Sequence, residues 1–279
     1  MLKEAISYSL AAGASVRIVQ VTDPHLFADP SAQLLGVNTA LSLESVLNTI
    51  KAVQYPADFM LATGDISQDY SGESYHNFVR AIAPLDFPCH YLPGNHDDPR
   101  IMRLNMQGPN IYGQQRILAG SWQIIMLDST VRGKPGGHMA DSEIDLIKSA
   151  VADQPDRHTL LVMHHNPILV KCQWLDQHCM DNGSDFIEQV SQIPQVKGLL
   201  WGHVHQQLDK KHLGPHGAIS LMATPSTCIQ FKPLSSYFSL DALQPGYRLL
   251  ELKADGSMLT NVYRVPGDKF FPDRGARGY

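Results

Sequence analysis

Short apolar runs recur along the chain, and five of them stop at turns built from Asp, Asn, His and Gly. Ser15–Val21 is apolar and β-branched and predicts a buried strand ending in Thr22-Asp23-Pro24-His25. Phe59–Thr63 predicts a second, ending in Gly64-Asp65. Cys89–Leu92 is the third; Pro93-Gly94 stops it and delivers Asn95-His96-Asp97. His158–Met163 runs into His164-His165-Asn166-Pro167, and Val196–Trp201 into Gly202-His203-Val204-His205, whose two histidines an extended backbone would set on one side. Between these runs lie stretches of helical spacing: Leu41–Val53, Ser71–Leu85 with Ser71 as N-cap, Pro99–Met106, Ala140–Gln154 and Ser184–Gln192. The alternation predicts an α/β chain, with its ligand-type residues at the carboxyl ends of strands, where open sheets bind ligands.

Further strands are expected at Arg116–Ala119 and Gln123–Asp128, joined by a Gly-Ser turn, and at Ala218–Ala223 and Gly246–Leu252. An Asp255-Gly256 hairpin turn leads into a last one, Met258–Val265. Ala28–Thr39 reads as a loop. Residues 168–183 read as a long loop set like a lid beside a candidate ligand, and residues 266–279 as a C-terminal tail that wraps the surface or frays. No linker divides the chain, so residues 1–279 are expected to form a single domain.

Composition narrows the partners. Hydrophobic content of 43% and charged content of 18% describe an ordinary soluble globular protein. A net charge of −5 argues against nucleic acid, which favours a basic face, but leaves room for a small anionic substrate beside metal ions. Cys89, Cys172, Cys179 and Cys228 form no Cys-x-x-Cys pair and read as reduced thiols. Met1–Ser15 lacks the pattern of a secretory leader, and no apolar run reaches membrane-spanning length. The expectation is a cytoplasmic protein with no membrane partner.

Each of the five turns alone is an ordinary turn. Together they supply imidazole, carboxylate and amide ligands in a mixture that suits two divalent ions, Fe²⁺ or Mn²⁺ before Zn²⁺ or Mg²⁺. No cysteine belongs to the set, which disfavours a structural zinc–thiolate site.

The five turns resemble those of the calcineurin-like metallophosphoesterases, and most nearly those of the bacterial class III 3′,5′-cyclic-AMP phosphodiesterases. Gly36-Val37-Asn38-Thr39, Trp174-Leu175-Asp176-Gln177-His178 and Ala223-Thr224-Pro225-Ser226-Thr227 add to the likeness, which covers nearly the whole chain. The resemblance implies a four-layer αββα sandwich, two mixed β-sheets face to face with helices outside. It implies that Asp23, His25, Asp65 and His205 hold one ion and Asp65, Asn95, His164 and His203 the other, so that Asp65 bridges. It implies that His96 contacts the phosphate and protonates the leaving alkoxide while Asp97 orients its ring. His25, Asp65, Asn95, His96 and His205 would then line the substrate.

The implied reaction is hydrolysis of 3′,5′-cyclic AMP to 5′-AMP by a hydroxide formed at two metal ions, lowering the cyclic-nucleotide signal. The alternative is a metallophosphoesterase acting on another phosphodiester or a nucleotide pyrophosphate. Phosphoprotein phosphatases carry Gly-Asp-x-x-Asp-Arg-Gly, whereas Gly64-Asp65-Ile66-Ser67-Gln68-Asp69 leads into no Arg-Gly; purple acid phosphatases need a Tyr where Gln68 stands. A binding scaffold of the same fold would be expected to have lost ligands, and none is lost. His165 is the reserve ligand beside His164. His76, His90, His138, His158, His178, His212 and His216 read as surface or core histidines, of which His178 sits in the lid-like loop. Trp174 is open between stacking on a base and packing in that loop. Metal identity, base and ring preference, and oligomeric state are not fixed by the sequence.

Overall fold

The computed structural model describes residues 4–53, 55–273 and 275–278. Its strands are β1 (Ala5–Tyr8), β2 (Val16–Val21), β3 (Gln33–Leu34), β4 (Val37–Asn38), β5 (Phe59–Thr63), β6 (Cys89–Leu92), β7 (Ile111–Tyr112) and β8 (Arg116–Ala119). They continue as β9 (Trp122–Met126), β10 (His158–Val162), β11 (Val196–Trp201), β12 (Leu208–Gly214), β13 (Gly217–Ala223), β14 (Gly246–Leu252) and β15 (Met258–Arg264). The helices are α1 (Thr39–Val53), α2 (Gly72–Ile82), α3 (Pro99–Asn105), α4 (Asp141–Asp153) and α5 (Gly183–Ser191).

Two large mixed sheets result, one ordered β1-β8-β9-β10-β11-β13-β12 and the other β15-β14-β2-β5-β6-β7. In the first, β9, β10, β11 and β13 run parallel. In the second, β2, β5, β6 and β7 do so.

Alternation along the strands sorts the side chains into three apolar layers. Leu160 and Val162 of β10 meet Phe59 and Leu61 of β5 between the sheets. Leu161 turns the other way, toward Ile147 and Ala150 of α4 and Phe186 and Val190 of α5. Met60 and Ala62 likewise turn outward, to Val46, Leu47 and Ile50 of α1 and Tyr75 and Phe78 of α2. The order is helices, sheet, sheet, helices, as expected. Each fully buried aliphatic side chain contributes about 1.5–3 kcal/mol, but the attraction has no direction.

Local rules account for the helix starts. Ser71 Oγ accepts from Ser74 N at 3.1 Å, the expected N-cap of α2. Asp98 caps α3, with Pro99 at its first position. Ala28–Thr39 departs from the expected loop: β3 and β4 form a small hairpin through Leu35 and Gly36, and α1 already begins at Thr39. Strand β12 lies outside the predicted elements because Lys210, Lys211 and His212 break its apolar pattern, as suits an edge strand. β1 and β7 are short strands at sheet edges.

Residues 168–183 are well anchored. Val170, Cys172, Leu175 and Met180 are buried against the first sheet, around one 3₁₀ turn at Leu175–His178. In the tail, Gln244 Oε1 accepts from the amides of Lys269 and Phe270, and Asp273 N donates to Leu35 O, so this stretch lies along the surface. Among the described residues no helix is long and apolar enough to cross a membrane.

Candidate metal centre

All five ligand turns leave the carboxyl ends of parallel strands, β2, β5 and β6 in one sheet and β10 and β11 in the other. Hydrogen bonds tie the turns together. Asp23 N donates to Gly64 O and His25 N to Asp65 O, both at 3.0 Å, and Gly202 N donates to His164 O at 3.2 Å. His203 N reaches across the sheets to the Asp23 carboxylate, 3.1 Å from each oxygen.

The turn backbone is strained. Asp23, His25, Asp65, His203 and His205 have φ of +53°, +48°, +51°, +62° and +47°. Residues other than glycine rarely adopt this region, which costs about 1–3 kcal/mol each and concentrates at functional sites. The expectation of an extended His203–His205 segment is thereby corrected. Val204 N turns back to Gly202 O at 2.6 Å, and the two histidines enter different clusters.

The side chains converge. Asp23, His25 and His205 place ligand atoms within 4.8 Å of one another, and so do Asp23, Asp65 and His164. His25, Asp65 and His96 form a third group, and His164, His165 and His203 a fourth. Asp65 Oδ2 lies between two of the imidazoles, 3.4 Å from His164 Nε2 and 3.8 Å from His25 Nε2. The Nε2 atoms of His25 and His205 are 3.2 Å apart, and Asn95 Oδ1 is 3.1 Å from His164 Nε2.

In each of the four candidate ligand imidazoles the other nitrogen is anchored. His25 Nδ1 donates to Gln68 Oε1 (2.7 Å), His164 Nδ1 to Thr63 O (2.8 Å), His205 Nδ1 to Ile229 O (2.9 Å) and His203 Nε2 to His178 O (3.1 Å). A carbonyl only accepts, so each bond sets the tautomer and frees the opposite nitrogen for a cation. His165 is different: Ser129 Oγ engages its Nδ1 at 2.9 Å and Pro135 O its Nε2 at 3.2 Å. His164 is the neighbour that turns to Asp65.

Electrostatics favour bound positive charge. Burial pushes His25 down to about 3 and His203 well below its usual range, which keeps both neutral. Burial opposes charge on His164 too, but Asp65 and Asp23 outweigh it and raise that imidazole to about 9. Burial alone would raise both carboxylates; His205 holds Asp23 down, and His164 with His96 holds Asp65 down. Among the described residues neither carboxylate pairs with a lysine or arginine. Two such buried charges cost several kcal/mol each unless a cation compensates. The donor set fits a pair of borderline divalent ions.

His96 sits half-buried at the rim. Its amide donates to Asp65 Oδ1 at 2.8 Å, and its ring meets that of His25 edge-on at 5.0 Å. The Asp97 carboxylate accepts from the amides of Gly94 (2.9 Å), Ser67 (3.0 Å) and Ile66 (3.3 Å). It clamps two of the turns together. Burial and the nearby Asp65 raise it to about 7. Trp174 packs edge-to-face on Phe231 (4.9 Å) and Phe238 (5.0 Å), and Phe231 stacks on His205 at 4.2 Å.

Gln68 and the carbonyls of Thr63, His178 and Ile229 carry no ligand signature in the sequence. Gln68 stands out there only by its spacing after Asp65.

The chain is 43% identical over its full length, and that of its relative, to the 3′,5′-cyclic adenosine monophosphate phosphodiesterase CpdA of Escherichia coli K12. It is 42% identical to the protein of that name from Haemophilus influenzae, over 95% of both chains. Its fold resembles that of a dimetal phosphatase from Danio rerio, with a TM-score of 0.58 at 12% identity over 88% of this chain and 98% of the other. The sequence model of the calcineurin-like phosphoesterases matches residues 16–207, the stretch that carries all five ligand turns, and the chain belongs to that family.

Proposed function

We propose that the chain hydrolyses 3′,5′-cyclic AMP to 5′-AMP at the turns that end β2, β5, β6, β10 and β11. The observation that carries this reading is full-length similarity to bacterial cyclic-AMP phosphodiesterases together with donors at every ligand turn. Asp23, His25, Asp65 and His205 would hold one divalent cation, and Asp65, Asn95, His164 and His203 the second. Mn²⁺ and Fe²⁺ suit this donor set best. When bound, the two ions would supply a nucleophilic water at neutral pH and neutralise charge on the phosphate.

The protein's own groups account for the rest. Burial keeps His25 and His203 neutral, with lone pairs available. Asp65 stays ionised and faces both clusters. Water oxygen bonds to phosphorus and releases one proton to solvent, the bond from phosphorus to the ribose 3′ oxygen breaks, and His96 gives that oxygen its proton. Asp97 fixes the turn that carries His96, through three amides. Residues 168–183 form a packed wall that meets the centre at the His178 carbonyl. The free cysteines are in keeping with a reducing cytoplasm.

The test gives Mn²⁺-loaded enzyme 3′,5′-cyclic AMP, 2′,3′-cyclic AMP and a dinucleotide side by side and resolves the products. The reading expects 5′-AMP from the first and slower turnover of the others. Faster cleavage of the dinucleotide reassigns the substrate to another phosphodiester. No turnover of any with two ions bound overturns the hydrolase.

A further inference from the structure

Arg248 of β14 is fully buried between the sheets, and all of its N–H groups are used. Nη1 donates to Asp209 Oδ1 (2.7 Å) and Thr260 Oγ1 (2.8 Å), Nη2 to Ala223 O (2.7 Å) and Leu208 O (3.5 Å), and Nε to Thr224 Oγ1 (3.1 Å). Thr224 Oγ1 donates in turn to Gln20 Oε1. Gln20 Nε2 donates to Thr63 Oγ1 (2.9 Å) and Trp201 O (3.3 Å). Arg248, Gln20 and Thr63 belong to one sheet; Ala223, Trp201 and Asp209 belong to the other.

The chain of bonds ends at the metal centre. Gln20 stands three residues before Asp23, Thr63 two before Asp65, and Trp201 two before His203. The Thr63 carbonyl anchors His164. The turn after Thr224 clasps the Asp23 turn directly: Ser226 Oγ donates to Asp23 O at 2.7 Å, and Thr227 N to Thr22 O at 3.0 Å. These residues are the Ala223–Thr227 segment whose purpose the reaction itself leaves open.

Most of the remaining packing between the sheets is apolar, although Tyr8 Oη also lies 2.7 Å from His90 Nε2 across it. Apolar contact tolerates sliding, whereas a cation shared by Asp23 and His205 needs its ligands held within about 0.2 Å. The Asp209 carboxylate is 43% exposed, so the ion pair itself adds little; what Arg248 supplies is direction, donors aimed at groups of both sheets. We propose that Gln20, Thr224 and Arg248 are positioning residues, a directional lock that sets one sheet against the other so that ligands from both meet the same ions. The inference rests on the reading of the cluster as a dinuclear metal centre.

The test compares wild type, Thr224→Val, Thr224→Ser and Arg248→Met. Each is stripped with a chelator, titrated with Mn²⁺ by calorimetry and with Co²⁺ by visible absorption, and unfolded in urea. Wild type is expected to take two ions. Thr224→Val should bind at least one of them about tenfold or more weakly and shift the Co²⁺ bands, as loss of an outer-sphere support does. Thr224→Ser should restore both. Arg248→Met should lose affinity in the same way and, because Ala223 O and Leu208 O lose their donor, unfold at lower urea; if it does not fold, the Thr224 pair decides. Wild-type affinity and spectrum in folded Thr224→Val would overturn the lock, whatever its urea midpoint. A wild type that takes up no divalent ion overturns the metal reading itself, a distinct result.

Discussion

Gly64 offers the sharpest test of the site, because a single methyl group there meets two ligand turns. It lies at φ +94° between Thr63, whose carbonyl anchors His164, and Asp65, which faces both clusters. A Cβ at this position would stand 2.5 Å from His164 Nδ1 and 2.7 Å from Gly94 N. Ordinary contact begins near 3.4 Å, so the ring or the Gly94 turn must retreat by roughly 0.7–0.9 Å. Neither yields freely: His164 Nδ1 is bonded to Thr63 O at 2.8 Å, and Gly94 N to Asp97 at 2.9 Å. Metal–ligand distances tolerate about 0.2 Å, several times less than this retreat.

Gly64→Ala should therefore keep one ion near wild-type affinity and bind the other about 100-fold more weakly, roughly 2.7 kcal/mol. The left-handed backbone should cost the fold a further ~1–2 kcal/mol. Gly13→Ala separates the two effects, since Gly13 is also left-handed (φ +76°) but has nothing within 4 Å of the added methyl. It should lose stability and keep both ions. The assay is a calorimetric Mn²⁺ titration of chelator-stripped protein, with circular dichroism to confirm folding. Two ions at wild-type affinity in folded Gly64→Ala would refute the reasoning.

Three further outcomes are expected. Gln68→Leu removes the acceptor that sets the His25 tautomer and should weaken one ion about 10–100-fold by Mn²⁺ titration, with Gln68→Glu retaining most of the affinity. His96→Ala should keep both ions yet lose about 10²–10⁴ in kcat on cyclic AMP and far less on an activated aryl diester, whose leaving group needs no proton; equal losses would count against the proton donor. In chelator, His164 is raised from 6.5 to about 9 because Asp65 and Asp23 outweigh its burial. Its protonation thus stabilises the fold fully below pH 6.5, and the contribution is lost as pH rises through about 9. Urea midpoints of stripped protein should fall across that window, and Mn²⁺ should erase the fall; a flat profile in chelator would contradict it.

The legible part of the molecule was the part written in local patterns. Phe59–Thr63, Val196–Trp201 and Gly246–Leu252 appear as strands with the bounds that their apolar runs predict. The five ligand turns stand out because Asp, Asn and His directly after an apolar strand serve the core poorly. Lys210 to His212 hid β12, since an edge strand needs only one neighbour and accepts charge. The amides that Asp97 clamps could not be read from its own turn, because Ile66 and Ser67 lie 31 and 30 residues away along the chain. Backbone carbonyls such as those of Thr63 and Ile229 have no residue signature at all, so the anchors of His164 and His205 were invisible until the fold was known.

The left-handed ligand residues and the buried carboxylates bear on when the site is formed. Five residues at positive φ, at about 1–3 kcal/mol each, and two buried anions are liabilities that the turns could not hold alone. They persist because the strands before them are locked into two sheets by apolar layers and interlayer hydrogen bonds. Each candidate ligand imidazole is oriented through its other nitrogen by Gln68 or by a backbone carbonyl. The binding energy of a cation would therefore go into relieving charge rather than into folding the turns. That is the physical basis for expecting the stripped protein to remain folded, and to lose stability as pH rises through the range where His164 gives up its proton.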